Sequence, residues 1–363
     1  MKVALVINNL NFGGAEKLLA ESIPVYKLFK IKPNVILLND TETELTVEVK
    51  KETDLISLSK GSPYNPLIIF QLVSELNKYD LIHFHLFPTL YWVVIASLFT
   101  KSRVKLVYTE HSTENKRRNN IILKFLDRLI YKRIDKIITI SEAVDEKLKN
   151  HLHLSNEKFS LIKNGINLKK FNSAKPYNKS VFFTEKDTIL VQVSSFRYPK
   201  DQKTIIKALS SLEENICLLL VGEGPLKEDC RKLVVNLKLD HRVKFLGIRN
   251  DVPNILKTAD IIILSSEYEG LSLSSIEGMC LNKPFIASSV PGLKEVVEGA
   301  GLLFQFGNVN ELISHIKLIL NDKILYAKVS EQCLKRSKEF DIKKMVYNYI
   351  LVYEDLFKKG KKL

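Results

Sequence analysis

Along this chain, short apolar runs rich in β-branched residues alternate with stretches whose apolar positions recur every three to four residues. In the first half the runs are Val3–Ile7, Val35–Leu38, Leu81–His85, Leu106–Thr109, Ile137–Ile140 and Phe159–Ile162. In the second half they are Ile189–Val193, Cys217–Val221, Val243–Leu246, Ile261–Leu264, Phe285–Ala287 and Leu302–Phe304. Helical periodicity lies between them at Glu16–Phe29, Leu67–Asn77, Ile121–Arg133, Lys203–Leu212, Leu226–Leu237 and Leu312–Leu320. Such alternation predicts an α/β fold with parallel sheets covered on both faces. Two sets predict two Rossmann-like domains, although no residue-level repeat relates them. Leu168–Lys186 is polar, contains Pro176 and has little periodicity, so it reads as the linker. The expected domains are 1–170 and 171–339, with a Tyr- and Met-containing helix over 340–358 packing back on the first.

One segment stands out: Glu269-Gly270-Leu271-Ser272-Leu273-Ser274-Ser275-Ile276-Glu277, directly after the run Ile261–Leu264. Glu269 falls on the loop at a strand's carboxyl end, where open α/β sheets bind ligands. Glu277 falls about one turn into the following helix, whose first turn Ser272 or Ser274 can cap. Free helix N–H groups, a close-approach glycine and two acids suit a phosphate-plus-sugar ligand. The plain alternative is a solvated loop acid and a helix-internal one.

Composition narrows the picture. At 363 residues, 45% of them apolar, the chain is globular and long enough for two cores. Its four cysteines (Cys217, Cys230, Cys280, Cys333) lack metal-ligand spacing and read as core residues in a reducing compartment. Val3–Ile7 is too short for a signal peptide and Tyr91–Phe99 too short for a membrane span, so a cytoplasmic protein is expected. Net charge is +14, and residues 101–175 hold 18 Lys or Arg against 8 Asp or Glu. That bias suits an anionic partner, or equally a generally basic proteome.

Further motifs carry chemistry. Phe12-Gly13-Gly14-Ala15-Glu16 follows the first strand, where paired glycines let backbone approach a diphosphate or simply make a tight turn. Arg197 and Lys200, three apart on a loop after a buried run, offer a planar fork and a point charge to a diphosphate. The alternative for them is a solvated pair; Lys203 lies nearby. His83 and His85 share one face of a strand, and with no third ligand evident they read as core packing.

In chain order these motifs are joined by Thr109-Glu110-His111, Ile140-Ser141-Glu142-Ala143, Ile162-Lys163-Asn164-Gly165-Ile166, Val221-Gly222-Glu223-Gly224-Pro225, Phe245-Leu246-Gly247 and Val290-Pro291-Gly292. Each alone is weak. The ordered set resembles the retaining glycosyltransferases of GT-B architecture, the family called glycosyl transferases group 1 or family 4. The resemblance spans nearly the whole chain and implies two Rossmann-like domains facing across a cleft. It implies transfer of a sugar from a nucleotide diphosphate sugar, a UDP-sugar first, to an acceptor hydroxyl. Surface polysaccharide or lipid-linked glycan synthesis is the expected setting.

Residue by residue, the resemblance gives Arg197 and Lys200 the departing diphosphate, Glu277 the ribose hydroxyls and Glu269 the transferred sugar. Backbone N–H groups of Leu271 to Ser274 would face the diphosphate, and Gly270, Leu271, Ser272 and Leu273, with Gly13 and Gly14, would belong to the donor site. Arg249, beside Ile248, would lie near the base. His111 would stand near the reacting carbon, with Glu16 and Glu110 on the acceptor side. Two departures are Glu277-Gly278-Met279 in place of the usual E-A-M, and Leu271-Ser272-Leu273 in place of an aromatic–glycine pair; the second leaves donor identity open.

No D-x-D occurs, so no metal or other cofactor is expected. No carboxylate stands out as a covalent nucleophile, so same-face attack fits better. The basic cluster Lys116-Arg117-Arg118, Lys124, Arg128, Lys132-Arg133 and Lys136, with Ile121, Ile122, Phe125, Leu126 and Leu129, could rest the protein on the anionic inner face of the cell membrane. Those apolar residues could equally face the core. A nucleotide-sugar epimerase of the same architecture is the alternative enzyme. Nucleic acid is not an expected partner, because no recognition motif accompanies the charge.

Overall fold

The computed structural model describes residues 1–11, 13–40, 42–112 and 121–358, with the backbone alone at 121 and 122. Its contacts divide it into two compact units, Met1–Gly165 with Ile342–Leu363, and Ile166–Asp341.

In the first unit seven strands form one parallel sheet: β1 (Val3–Ile7), β2 (Asn34–Leu37), β3 (Leu55–Ser57), β4 (Leu81–His85), β5 (Lys105–Glu110), β6 (Lys136–Thr139) and β7 (Phe159–Leu161). Their order is β3-β2-β1-β4-β5-β6-β7. The sequence pattern locates every one except β3, a half-buried three-residue edge strand too short to show a period. The central strands β1 and β4 are buried at every position, as a sheet covered on both faces requires.

The helix Ile342–Lys358 returns to this unit. It buries Ile342, Met345, Val346, Tyr349, Ile350, Tyr353 and Leu356, one face at three-to-four spacing. Tyr353 stacks on Tyr26 of the helix Gly14–Leu28, and their hydroxyls are 2.8 Å apart.

The helix Ile121–Arg133 settles one open alternative. Asp127, Ile130 and Tyr131 face inward, whereas Phe125, Leu126 and Leu129 are 63, 40 and 54% exposed. Polar anchors set this rotation: Asp127 accepts from Tyr91 at 2.6 Å and pairs with His151 at 2.9 Å, and Tyr131 donates to Glu110 at 2.9 Å. Lys132 and Arg133 are exposed on the same helix. Lys116, Arg117 and Arg118, and the side chains of Ile121 and Ile122, lie outside the described residues.

The second unit carries six parallel strands: β8 (Thr188–Val193), β9 (Ile216–Val221), β10 (Val243–Gly247), β11 (Ile261–Leu264), β12 (Phe285–Ser288) and β13 (Leu302–Phe304). The order is β10-β9-β8-β11-β12-β13, which repeats that of the first unit without its seventh strand. All four cysteines are buried and free here.

The units divide between Gly165 and Ile166, whereas the sequence reading put the break after residue 170. Ile166 donates its amide to Phe340 and bridges Asp341, which ties this stretch to the second unit. The segment read as a linker is likewise held there and contains a short helix, Leu168–Ser173. Lys257 donates to the carbonyls of Asn172 and Ala174, and Lys179 pairs with Asp260 at 2.6 Å. Its low hydrophobicity reflects anchoring through polar groups.

Candidate functional site

In both sheets the strand order reverses next to the first strand of the unit, and ligands of open α/β folds bind at the carboxyl edge there. In the second unit that point lies between β8 and β11. The loop after β8 carries Arg197 and Lys200, and the loop after β11 carries Glu269. Main-chain bonds knit the two loops together. Glu267 donates to Pro199 at 2.9 Å, Asp201 donates to Ser265 at 3.1 Å, and Lys200 forms an antiparallel bridge with Ser266. As a result the Lys200 ammonium forms an ion pair with the Glu269 carboxylate, both largely buried. Arg197 is exposed on the same loop.

The glycine motifs of this unit act as braces. At Gly222 and Gly224, both at positive φ, a Cβ would lie 2.2 Å from Ser194 O and 2.4 Å from Phe196 O, so backbone packs directly on the Arg197 loop. At Gly292 (φ +82°) a Cβ would lie 2.3 Å from Glu269 O, and Glu269 donates its amide to Pro291 at 3.1 Å. Val290-Pro291-Gly292 is therefore the floor beneath the first acid.

The helix Leu273–Met279 begins at Ser272, as expected, though that side chain makes no capping bond. Leu271 and Ser272 are buried, Gly270 and Leu273 half-buried, and Glu277 is 5% exposed in the helix. Gly278 explains the departure from E-A-M. A Cβ there would come within 2.6 Å of Phe285 and 2.9 Å of Ile262, so Phe285 fills the space an alanine would need.

Two cations are engaged elsewhere. Arg249 holds Asp251 through two bonds of 2.8 and 2.6 Å, and Asp251 also accepts from Tyr177. The guanidinium, with help from the phenol, holds the Asp251 carboxyl down at about 2. Ile248 beside it is exposed. Lys203 pairs with Asp229 at 3.7 Å on the surface.

In the first unit the reversal lies between β1 and β4. Gly13 and Gly14 start the helix after β1, so the turn is where the sequence put it. Glu16 folds back over that turn: a Cβ on Gly13 would lie 2.1 Å from its carboxylate oxygen. Glu16 is the third residue of the helix, the position from which a glutamate reaches back to the helix start. Burial raises its pKa. A diphosphate at Gly13 would require this carboxylate to swing out. Glu110, at the end of β5, is buried and accepts from Tyr131 at 2.9 Å and from the Ser112 amide at 3.2 Å. Its carboxylate holds the loop that carries His111.

His111 lies next to His85, with Nε2 3.0 Å from His85 Nδ1. His83 is 2.7 Å from Thr109 Oγ1 and 2.6 Å from the Tyr353 hydroxyl, and its ring lies 4.4 Å from that of His85. Desolvation holds His83 down to about 3, His111 to about 4 and His85 well below the ordinary range, so all three are neutral at pH 7. His85 and His111 line a small cavity with Leu5, Ala15, Met345 and Tyr349. The reading of His83 and His85 as core packing with no third metal ligand agrees with their burial; what the sequence did not show is that His85 contacts His111, next to the end of the paired strand. The signal was present as H-x-H at one strand end and T-E-H at another, but their adjacency needs the strand order. Among the described residues no three His, Cys, Asp or Glu side chains stand as metal ligands.

The chain is similar to known proteins over both units. A family model described as "Glycosyl transferases group 1" matches residues 174–336, and one described as "Glycosyltransferase Family 4" matches residues 31–170. N-acetyl-alpha-D-glucosaminyl L-malate synthase of Bacillus anthracis is 26% identical over 353 residues, 93% of this chain and 88% of that one. A Campylobacter jejuni relative, N-acetylgalactosamine-N,N'-diacetylbacillosaminyl-diphospho-undecaprenol 4-alpha-N-acetylgalactosaminyltransferase, is 25% identical over 359 residues, 94% of this chain and 96% of that one. The crystal structure of Anabaena HepE in complex with UDP and glucose superposes with a TM-score of 0.86 at 20% identity, over 98% of this chain and all of that one.

Proposed function

The chain belongs to the glycosyl transferases group 1 family and is a glycosyltransferase of GT-B fold; on that premise we propose that it moves a sugar from a UDP-sugar to an acceptor hydroxyl with retention at the anomeric carbon. The observation that carries the proposal is the Lys200–Glu269 pair at the strand-order reversal of the second unit, with Glu277 buried about one turn into the helix that follows. A cation for the diphosphate and an acid for the sugar already sit side by side, with Arg197 on the same loop as a second cation. Gly270 to Leu273 offer amides to the phosphates, and Arg249 and Ile248 flank the base. Neutral His111 serves the reacting sugar as a hydrogen-bonding group. With Arg197 and Lys200 meeting the diphosphate charge, the reaction needs no metal. The departing phosphate draws the acceptor proton as the hydroxyl attacks from the same face.

UDP as the nucleotide is supported by the Anabaena neighbour, which holds UDP and glucose, and a lipid-linked glycan acceptor by the Campylobacter relative, whose name specifies a diphospho-undecaprenol acceptor. Thermal-shift screening across UDP-, GDP- and ADP-sugars identifies the donor, with UDP-sugars expected to stabilise selectively. NMR of the transfer product then reads the anomeric configuration; inversion would overturn the mechanism. Activity abolished by EDTA and restored by Mn²⁺ would overturn metal independence. Donor consumed without acceptor would report the epimerase instead.

The acceptor chemistry also gives the helix Ile121–Arg133 a partner. Phe125, Leu126 and Leu129 are exposed beside Lys132 and Arg133, a basic amphipathic face suited to anionic lipid. Among the described residues no helix is long and apolar enough to cross a membrane, so the proposed contact is peripheral. Flotation with anionic vesicles is expected for the wild type and lost in the Phe125→Ser/Leu129→Ser variant. Equal flotation of both would remove this surface from the reading.

A further inference from the structure

His83, His85 and His111 come from two neighbouring strand ends, and their nitrogens are spent very unevenly. Both nitrogens of His83 are engaged, one by Thr109 Oγ1 and one by the Tyr353 hydroxyl. That ring is a fixed wall, clamped from behind by the C-terminal helix. His85 lies against it at 4.4 Å and directs Nδ1 to His111 Nε2 at 3.0 Å. A bond between two neutral imidazoles needs one N–H and one lone pair. The contact therefore ties the tautomer of each ring to that of the other: His111 carries its proton on Nδ1 when His85 donates and on Nε2 when His85 accepts. It also occupies Nε2 of His111, which leaves Nδ1 as the ring nitrogen available to a substrate.

We propose that His85 is a positioning residue for glycosyl transfer: it fixes the ring plane and the single tautomer of His111, which meets the substrate through Nδ1. The proposal rests on the reading of His111 as the group beside the reacting sugar. The His83–Tyr353–Tyr26 chain sets His85 in turn, so the helix Ile342–Lys358 supports this side of the reaction. Reorientation of a reacting group by about 1 Å is enough to lower a rate on the order of a hundredfold, so a lost support is readable in kcat.

The test compares His85→Leu, which fills the space without a polar atom, His85→Asn, whose amide stands near the position of Nδ1, and His111→Ala. Steady-state kinetics give kcat and KM for a UDP-sugar donor, and two-bond ¹H–¹⁵N correlation NMR reads the His111 tautomer. The Leu variant is expected to lose about tenfold or more in kcat at little changed donor KM, with His111 averaging between tautomers. The Asn variant is expected to recover most of that rate and a single tautomer. Wild-type kcat in His85→Leu with an impaired His111→Ala would overturn the proposal and leave the reading of His111 standing. Equal losses in the Leu and Asn variants with an unchanged His111 tautomer would also overturn it, as a packing effect. An unimpaired His111→Ala would overturn both.

Discussion

Lys200 and Glu269, 69 positions apart, form an ion pair across the strand-order reversal of the second sheet. Each carries what the other needs in the absence of donor, so neither is a buried charge without compensation. On the proposed reading, donor binding exchanges one partner for another: phosphate pairs with the ammonium and a sugar hydroxyl with the carboxylate.

Lys200→Ala and Glu269→Gln should each reduce kcat/KM by about tenfold to a hundredfold, the loss of one charge-assisted bond of roughly 1.5–3 kcal/mol. The double variant should lose less than the product of the two, because each single change also strands the remaining group. Steady-state kinetics on the four proteins decides it; strictly multiplicative losses would mean the residues act apart.

Gly278→Ala pits two effects against each other. Alanine gains about 1 kcal/mol of helix propensity over glycine, while overpacking against Phe285 and Ile262 costs about 1–3 kcal/mol. The clash should win, so urea unfolding should show a destabilised protein. Phe285→Leu in the Gly278→Ala background should restore part of the loss by opening the space. A stabilised single variant would contradict the packing described above.

Gly292→Ala should act on the donor site without touching a donor. Its φ of +82° disfavours any L residue, and its Cβ would collide with Glu269 O, so the loop holding the first acid must move. Donor-induced thermal stabilisation should shrink as much as it does in Glu269→Gln. An unchanged donor shift would show that the loop has another support.

The buried histidines set a pH window for stability. Their folded pKa values lie below the unfolded value near 6.5, at about 3 for His83 and about 4 for His111, so between those limits the unfolded chain binds more protons. Stability is then fully present above about 6.5 and lost as pH falls toward 4, at up to about 1.4 kcal/mol per pH unit for each group. Melting temperature should drop between pH 6.5 and 4.5, a range in which low-pKa carboxylates such as Asp251 do not titrate. The slope should lessen in a His83→Gln protein, and a flat wild-type profile would mean the rings are not buried neutral.

The strand, loop and helix that carry Glu269 and Glu277 are legible in the sequence. The run Ile261–Leu264, the glycine after Glu269 and the serine-rich helix start identify strand, loop and helix, since each signal is local and periodic. Other features of the same site were not readable. Arg249 is committed to Asp251, which also accepts from Tyr177, Glu110 to Tyr131, and Glu16 to the space above Gly13. A side chain's type is visible in the chain, but its partner is not, because the partner comes from another element.

From the one-dimensional pattern alone came the α/β class, twelve of thirteen strands, the division into two sheets and the loops that carry Arg197, Lys200 and Glu269. All of these follow from the spacing of apolar residues over ten or so positions. Strand order, and with it the meeting of Lys200 with Glu269 and of His85 with His111, came only from the folded chain. So did the outward face of the helix Ile121–Arg133, set by three polar anchors, and the need for glycine at 278, set by a phenylalanine across the core. The physical reason is common to these cases: periodicity records how a segment meets an average core, whereas long-range packing decides which atoms that core presents.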